Sequence, residues 1–291
     1  MTSGKKQAFL ILSFLVLVNL AAWQAVFYSH FLVEKMEVVF FNVGQGDAIF
    51  IKTPQGHQIL IDGGPDAAIL EKLSQELSFW DRDLDMIILT HPDKDHLFGI
   101  LETLKNYKVE NIIWSGLAAE NTAEFKEWQK FKEEELKEGA KEIKVLAGQK
   151  IIAGSAAFSI LSPFSGQDKT KNEDNEDSLA LRLDFKNNSF IFCGDIGFYE
   201  EQKMIESSEN IFAQVLKVAH HGSKYSTSQN FLDKVSPKFA IIQVGKNSYG
   251  HPAKEVLTRL EKSGINILRT DINGDIKVVA DGENVEINDG K

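Results

Sequence analysis

One cysteine, Cys193, is all the thiol this chain carries, so no disulfide can form within it. Cysteine usage is therefore silent on compartment, and Cys193, set before Gly194 on an apolar run, reads as a small core residue rather than a metal ligand. No stretch rich in proline, glycine and serine divides the sequence, and no internal repeat runs through it. One compact unit is the natural reading for 291 residues that are 43% hydrophobic. An excess of cationic charge is missing too. A formal net charge of −10 argues against passive binding of nucleic acid through a broad basic face, although divalent ions and local lysines reverse the sign inside a cleft. Two catalytic signatures are absent: there is no Ser-His-Asp order, and Gly44-Gln45-Gly46 lacks the following Gly or Lys-Ser/Thr of a phosphate-cradling loop.

What the chain does have is a dense hexapeptide, His91-Pro92-Asp93-Lys94-Asp95-His96, with four potential metal ligands on one short turn. It follows an apolar run, Leu84 to Thr90, that reads as a buried strand. The ligands thus leave the carboxyl end of a strand, where open α/β sheets place their sites. Imidazole with carboxylate suits zinc, manganese or iron. A charged loop with a helix-capping Asp is the plainer reading of the hexapeptide alone. Further apolar runs end alike: Gln58 to Ile61 in Asp62-Gly63-Gly64, Phe190 to Cys193 in Gly194-Asp195, Val215 to Ala219 in His220-His221-Gly222-Ser223, and Phe239 to Val244, through Gly245, in Tyr249-Gly250-His251-Pro252. Five strand ends bearing Asp or His argue for one shared metal centre.

The set IDGG, HPDKDH, GD and HHGS, in this order, resembles the metallo-β-lactamase superfamily. Within it, Asn42-Val43-Gly44-Gln45-Gly46-Asp47-Ala48, the Asn175 to Leu179 segment, HHGS and YGHP are similar to the hydrolase domain of ComEC-type DNA-uptake proteins. The resemblance covers roughly residues 36 to 285. It implies a four-layer αββα sandwich with the site along one edge between two sheets, and one or two divalent ions, zinc or manganese. It implies His91, Asp93, Asp95, His96, Asp195 and His220 as ligands, with Asp195 best placed to bridge two ions. Asp95 is either a pure ligand or also a proton acceptor. Asp62 is expected to orient a histidine from behind. His221, Ser223 and Lys224, with Asn175 and Ser178, are expected to contact substrate, or else to be loop residues. His251 is a ligand, a general acid for the leaving oxygen or a supporting donor, with acid or substrate contact preferred. Two departures from the superfamily pattern matter. Asp93 stands where a His is usual, and the Asn175 to Ser178 segment takes the place of another. Both are shared with the ComEC-like branch and imply a harder, more oxygen-rich site that tolerates manganese as well as zinc.

At the other end, Lys5 and Lys6 precede an uncharged stretch, Gln7 to Ser29, long enough to span a bilayer despite Asn19 and Gln24. No clean small-x-small cleavage site follows, so a retained anchor is expected rather than a removed signal peptide. Positive charge before the span predicts a cytoplasmic N-terminus and an extracytoplasmic catalytic domain close against the membrane. The expected division is 1–34 as stub and anchor and 35–291 as hydrolase domain. Met36 to Phe41 and Ala48 to Thr53 read as a hairpin, Leu97 to Tyr107 as a helix, and Glu124 to Lys141 as a surface helix with one apolar edge. Ile151 to Leu161 and Leu179 to Asp184 read as strands, Ser165 to Asp177 as a loop at the cleft rim, and Asn273-Gly274 as a hairpin turn.

The function expected is metal-dependent hydrolysis of phosphodiester bonds, with DNA as leading substrate and a role at DNA uptake. With one spanning segment, the chain is expected to work beside a separate channel protein, or outside competence. The alternatives are a hydrolase of a small ester, lactone, lactam or nucleotide, and a non-catalytic binding module with a vestigial site.

Overall fold

The computed structural model describes residues 3–30, 34–117, 122–165, 177–207 and 209–290. Its contacts divide the chain into two units, Met1–Glu34 and Lys35–Lys291. The first holds helix α1 (Ser3–His30), within which Gly4–Val26 is 23 residues long with a mean hydropathy of 2.1, long and apolar enough to cross a membrane. Asn19, the polar interruption, turns its side-chain amide back to the carbonyl of Leu15 at 3.0 Å, which meets one of its two donors within the helix.

The second unit is built on two sheets. One joins β1 (Met36–Phe40), β2 (Ile49–Lys52), β3 (Gln58–Ile61), β4 (Asp83–Ile88), β5 (Lys108–Trp114) and β6 (Lys141–Lys144), with β14 (Ile276–Ala280) and β15 (Val285–Asp289) added beyond β1. The other runs β13 (Asn266–Arg269), β12 (Phe239–Ile242), β11 (Val215–Lys217), β10 (Asn188–Phe192), β9 (Ala180–Phe185), β8 (Ala156–Ser162) and β7 (Lys150–Ala153). Strands β3 to β6 are parallel, as are β10 to β13, while β1–β2 and β8–β9 pair antiparallel.

Alternation along the strands explains why the sheets stack in layers. Met36, Val38 and Phe40 of β1 point into an apolar layer shared with Phe190 and Phe192 of β10, and the Phe40 and Phe192 rings lie 6.1 Å apart across it. Val39 and Phe41 point the other way, towards helices α2 (Ala68–Glu76), α3 (Lys94–Leu104) and α4 (Ala123–Glu138). Ile191 and Cys193 likewise turn outwards, packing with Met204 of α5 (Phe198–Glu206), Phe231 of α6 (Gln229–Val235) and Leu260 of α7 (Lys254–Lys262). The result is the expected helix–sheet–sheet–helix sandwich, with Cys193 in the core.

Several boundaries move. The helix expected over Leu97 to Tyr107 begins at Lys94: Asp93 stands at the N-cap and its carbonyl accepts from the His96 and Leu97 N–H groups at 3.0 and 2.8 Å, so Asp95 and His96 fall in the first turn. The run Ile151 to Leu161 is two antiparallel strands turning at Gly154, whose φ of +61° permits the bend. Asn273-Gly274 is not a hairpin turn: Asn273 ends the short helix α8 (Thr270–Asn273), and β13 and β14 on either side belong to different sheets. The local hairpin lies instead between β14 and β15, where Asp281 accepts hydrogen bonds from the backbone of Glu283 and Asn284. Of the expected rim loop, residues 166–176, including Asn175, lie outside the described residues.

Candidate metal centre

The carboxyl ends of the parallel strands of both sheets meet at one edge, and the chemistry-bearing residues leave those ends. Asp62 follows β3, His91 to His96 follow β4, Asp195 follows β10, and His220-His221 follow β11. Backbone is drawn in very close where β3 ends. A Cβ on Gly63 would lie 2.2 Å from the Ile100 nitrogen, and one on Gly99 1.8 Å from the Gly63 oxygen, so only glycine admits this contact. It lets the Gly63 N–H donate to the His96 carbonyl at 2.8 Å, fixing the first turn of α3 against the sheet.

Four candidate ligand sets lie at this edge among the described residues, and two of them overlap at His96. One ligand atom from each of His91, His96 and Asp195 lies within 4.8 Å of the others, and Asp95, His96 and His221 form a second such set. Asp195 touches both: its Oδ1 is 3.4 Å from His96 Nε2, and its Oδ2 is 4.0 Å from His91 Nε2 and 3.6 Å from His221 Nε2. His221 Nε2 is 3.1 Å from Asp95 Oδ2, while its Nδ1–H donates to the Gln243 carbonyl at 2.9 Å. Asp62 lies behind His96, 2.9 Å from Nδ1, and its carboxylate also accepts from the Thr90 N–H and hydroxyl at 2.8 and 2.7 Å. Oriented from behind in this way, each ring points its Nε2 forwards.

The turn that presents the imidazoles is strained. Asp62, His220 and His221 have φ values of 55°, 50° and 51°, in the left-handed region, where a residue with a Cβ is held at a cost of order 1–2 kcal/mol. Strain of this kind is kept where the surroundings fix it, and His221 is fixed by Gln243, Asp95 and Asp47.

Two site residues were not legible as such from the sequence. Asp47, in the NVGQGDA loop, is 1% exposed, with Oδ1 3.3 Å from His221 Nδ1. Lys217, in the middle of the run read only as a buried strand, is fully buried and donates to Asp47. The signal available was a lysine inside an apolar run, since lysine is almost never buried unpaired.

Of the expected contacts, Ser178 is fully buried and its hydroxyl accepts from the Asp195 N–H at 3.0 Å, which places it under Asp195 rather than on the solvent side. His221, expected on substrate, lies in the ligand sets; His220 and Asp93, expected as ligands, sit at their margin. His220 Nε2 is 3.7 Å from Asp195 Oδ2 with its side chain 33% exposed, and Asp93 Oδ2 is 3.7 Å from His91 Nε2. Ser223 is buried and Lys224 exposed beside it. His251 is half-buried, its ring 5.5 Å from that of His220.

The donor set fits a divalent cation. Asp47, Asp62, Asp95 and Asp195 each belong to one or more of the four ligand sets, and Lys217 pairs with Asp47. Buried His91 Nε2, His96 Nε2 and Asp195 Oδ1 face one another without hydrogen-bond partners, a costly arrangement unless something positive lies between them. Without a cation the imidazoles take up the deficit. Burial opposes the charge on His221, but Asp195 and Asp47 outweigh it and raise its pKa to about 9; His96 is raised likewise against burial by Asp195 and Asp62. His91, buried and beside His96, is lowered to about 4. Burial works against ionisation of Asp95 too, yet its hydrogen bond to His221 and the nearby histidine charges bring it to about 2. A metal entering such a site would displace protons from His96 and His221.

The family profile described as the metallo-beta-lactamase superfamily matches residues 41–246. The chain belongs to the metallo-β-lactamase superfamily. It is 34% identical over 260 residues to ComE operon protein 3 of Bacillus subtilis (strain 168), covering 83% of this chain and 32% of that protein. To competence protein ComA of Neisseria gonorrhoeae it is 30% identical over 240 residues, covering 81% of this chain and 31% of the relative. The chain therefore spans about a third of the length of these ComEC-type competence proteins. Among solved structures, the metallo-β-lactamase fold protein YhfI from Bacillus subtilis superposes with a TM-score of 0.56 at 12% identity, over 85% of this chain and all of that one, a likeness of fold. Superfamily members are usually metal-dependent hydrolases, and the present chain is a metallo-β-lactamase-fold protein related to the competence branch.

Proposed function

We propose that this chain is a membrane-anchored, metal-dependent phosphodiesterase that hydrolyses DNA. The observation that carries the reading is the pair of carboxylate–imidazole sets that overlap at His96, with Asp195 of one set lying 3.6 Å from His221 of the other, at the open edge of the sandwich. Its relation to competence proteins favours DNA over other phosphodiesters. His91, His96, Asp95, Asp195 and His221 would hold one or two ions, zinc or manganese, with Asp93 and His220 at the margin. Such ions supply Lewis acidity toward a phosphoryl oxygen and activate water near neutral pH.

The chain's own residues then divide the work. Asp195 joins the two sets, Asp62 and Ser178 hold His96 and Asp195 in place, and Asp95 is positioned to accept a proton. His251 has its Nδ1 buried without a hydrogen-bond partner and its ring against His220, which suits a proton donor to the leaving oxygen. Burial and the neighbouring His220 lower its pKa, which favours the neutral ring, so acting as the acid would require it first to take up a proton. Lys224, exposed in the turn after the two histidines, is suited to a backbone phosphate.

Residues 1–34 would form a cytoplasmic stub and anchor, with Lys5 and Lys6 on the inner side, and residues 35–291 an extracytoplasmic hydrolase domain. The same reading pairs the chain with a separate DNA-uptake channel protein. Incubating the purified chain with labelled DNA, and separately with ester, lactone and lactam substrates, each under zinc or manganese, tests it. DNA cleavage abolished by chelation is expected. Turnover confined to the small substrates would replace the nuclease reading with that of a small-molecule hydrolase.

A further inference from the structure

Tyrosine is scarce in this chain, at five residues, and its distribution is uneven. Tyr107 is buried, whereas Tyr199, Tyr225 and Tyr249 are 52%, 66% and 75% exposed. Tyr225 and Tyr249 lie in the loops after β11 and β12, and Tyr199 lies in the first turn of α5, after β10; the three strands are adjacent and parallel. In chain order, Tyr199, Tyr225 and Tyr249 each lie within four residues of a residue of the metal centre or its margin: Asp195, His221 and His251 respectively.

The loops are tied side by side. The Phe198 N–H donates to the Tyr225 carbonyl at 3.1 Å, and the Ala253 N–H to the Gly222 carbonyl at 2.8 Å. A cation accompanies two of the rings, with Lys203 Nζ 4.4 Å from the Tyr199 centroid and Lys224 Nζ 4.9 Å from that of Tyr225. The third ring, Tyr249, stacks on His251 with centroids 5.8 Å apart and planes 30° from parallel. Isolated exposed aromatics are ordinary. Three exposed rings on the connections that follow adjacent strands and also carry the centre's residues, two of them with lysines, make the combination by which proteins hold single-stranded nucleic acid: rings for the bases and cations for the backbone.

We infer that this tyrosine row is a nucleobase-stacking platform that selects unpaired strands and leads them to the metal centre. This rests on the phosphodiesterase reading above and narrows its substrate. Bases within a duplex stack on one another and cannot reach the rings, so a frayed end or a single strand is the form the rim accepts. A small neutral ester would need at most one ring. The row also resolves the charge problem, because a chain at −10 cannot gather DNA by its overall field and needs local, partly non-electrostatic contacts.

The test measures fluorescence anisotropy of the full-length chain in detergent, loaded with metal. The probes are hydrolysis-resistant phosphorothioate oligothymidine, an abasic strand of the same length and backbone, and a blunt duplex. Wild type is expected to bind oligothymidine at least about tenfold more tightly than the abasic strand or the duplex. Tyr225→Ala and Tyr249→Ala should each weaken oligothymidine binding by roughly 5- to 100-fold, the range of one lost base stack, and leave the abasic strand unaffected. Tyr225→Phe and Tyr249→Phe should keep the affinity, since the ring remains; this separates lost stacking from misfolding. Equal binding of oligothymidine and abasic strand by wild type, or equal losses on both in the alanine variants, would overturn the platform and leave the nuclease reading standing. Wild type binding none of the three probes would remove both.

Discussion

Lys217 donates a hydrogen bond to Asp47 beneath the metal centre, with both side chains shut away from solvent. The pair joins β11 of one sheet to the loop after β1 of the other. Asp47 passes the contact on to His221, at 3.3 Å from Nδ1. A lysine removed from water pulls against its charge, and Asp47 with Asp195 more than restores it, so Lys217 stays a cation in the folded protein.

Lys217→Met should therefore leave a buried carboxylate with no permanent cation and cost about 3–5 kcal/mol of stability, the usual penalty for breaking a buried pair from one side. Adding Asp47→Asn to that variant removes the uncompensated charge, and the double variant should be more stable than the lysine variant alone. Denaturant unfolding of the four proteins in the cycle measures this. Losses that simply add would show that the two side chains do not depend on each other.

Glu201 supplies a pH-dependent test away from the metal ligands. It is fully buried, accepts from the Thr227 and Ser228 N–H groups, and burial raises its pKa from the ordinary 4.5 to about 7, against those bonds and Arg259. Below about pH 4.5 it is protonated in both the folded and unfolded chain. Between 4.5 and 7 the unfolded chain loses the proton first, so this group's contribution to stability falls as pH rises, by about 3 kcal/mol across the window. Glu201→Gln cannot titrate. The stability difference between wild type and this variant, measured from pH 4.5 to 8, should move against wild type with rising pH and flatten above about 7. A constant difference would mean that Glu201 ionises normally.

How much of this was legible in the sequence follows from what each residue does locally. The strands that carry the site were readable because apolar runs ending in Asp or His are a one-dimensional signal, and β3 was placed with its observed bounds, Gln58–Ile61. The tandem histidines were found as a motif, but which ring faces inwards depends on two consecutive left-handed φ values, and sequence does not encode that directly. Asp47 lies 48 residues before Asp95 in the chain, yet its N–H donates to the Asp95 carbonyl at 3.1 Å; only the packing of the NVGQGDA loop on α3 brings them together. Asn273-Gly274 has the composition of a hairpin turn, but the strands around it pair in different sheets, and strand pairing is a long-range property.

Lys224→Ala should raise KM for DNA and reduce the slope of log K against log salt by about one contact, with bound metal unchanged. Hydrolysis of a small neutral ester, if the chain performs any, should hardly change. Equal losses on DNA and ester would instead assign Lys224 a structural role in the turn.

Orientation is tested in intact cells. With Lys5 and Lys6 on the cytoplasmic side, added protease should digest the 35–291 unit and leave a short membrane-embedded stub. Protection of that unit until the cells are lysed would reverse the topology.

Asp195 belongs to one ligand set and lies 3.6 Å from His221 of the other, so Asp195→Ala probes the metal-centre reading where it is most exposed. Zinc and manganese per chain are measured by elemental analysis of the purified full-length variant and wild type, alongside cleavage of end-labelled DNA. The variant should lose at least one ion per chain and nearly all cleavage, while its unfolding midpoint stays close to wild type, because like-charged groups gathered at a functional site cost stability rather than add it. An Asp195→Ala chain with its full metal content and undiminished cleavage would contradict the metal centre described here.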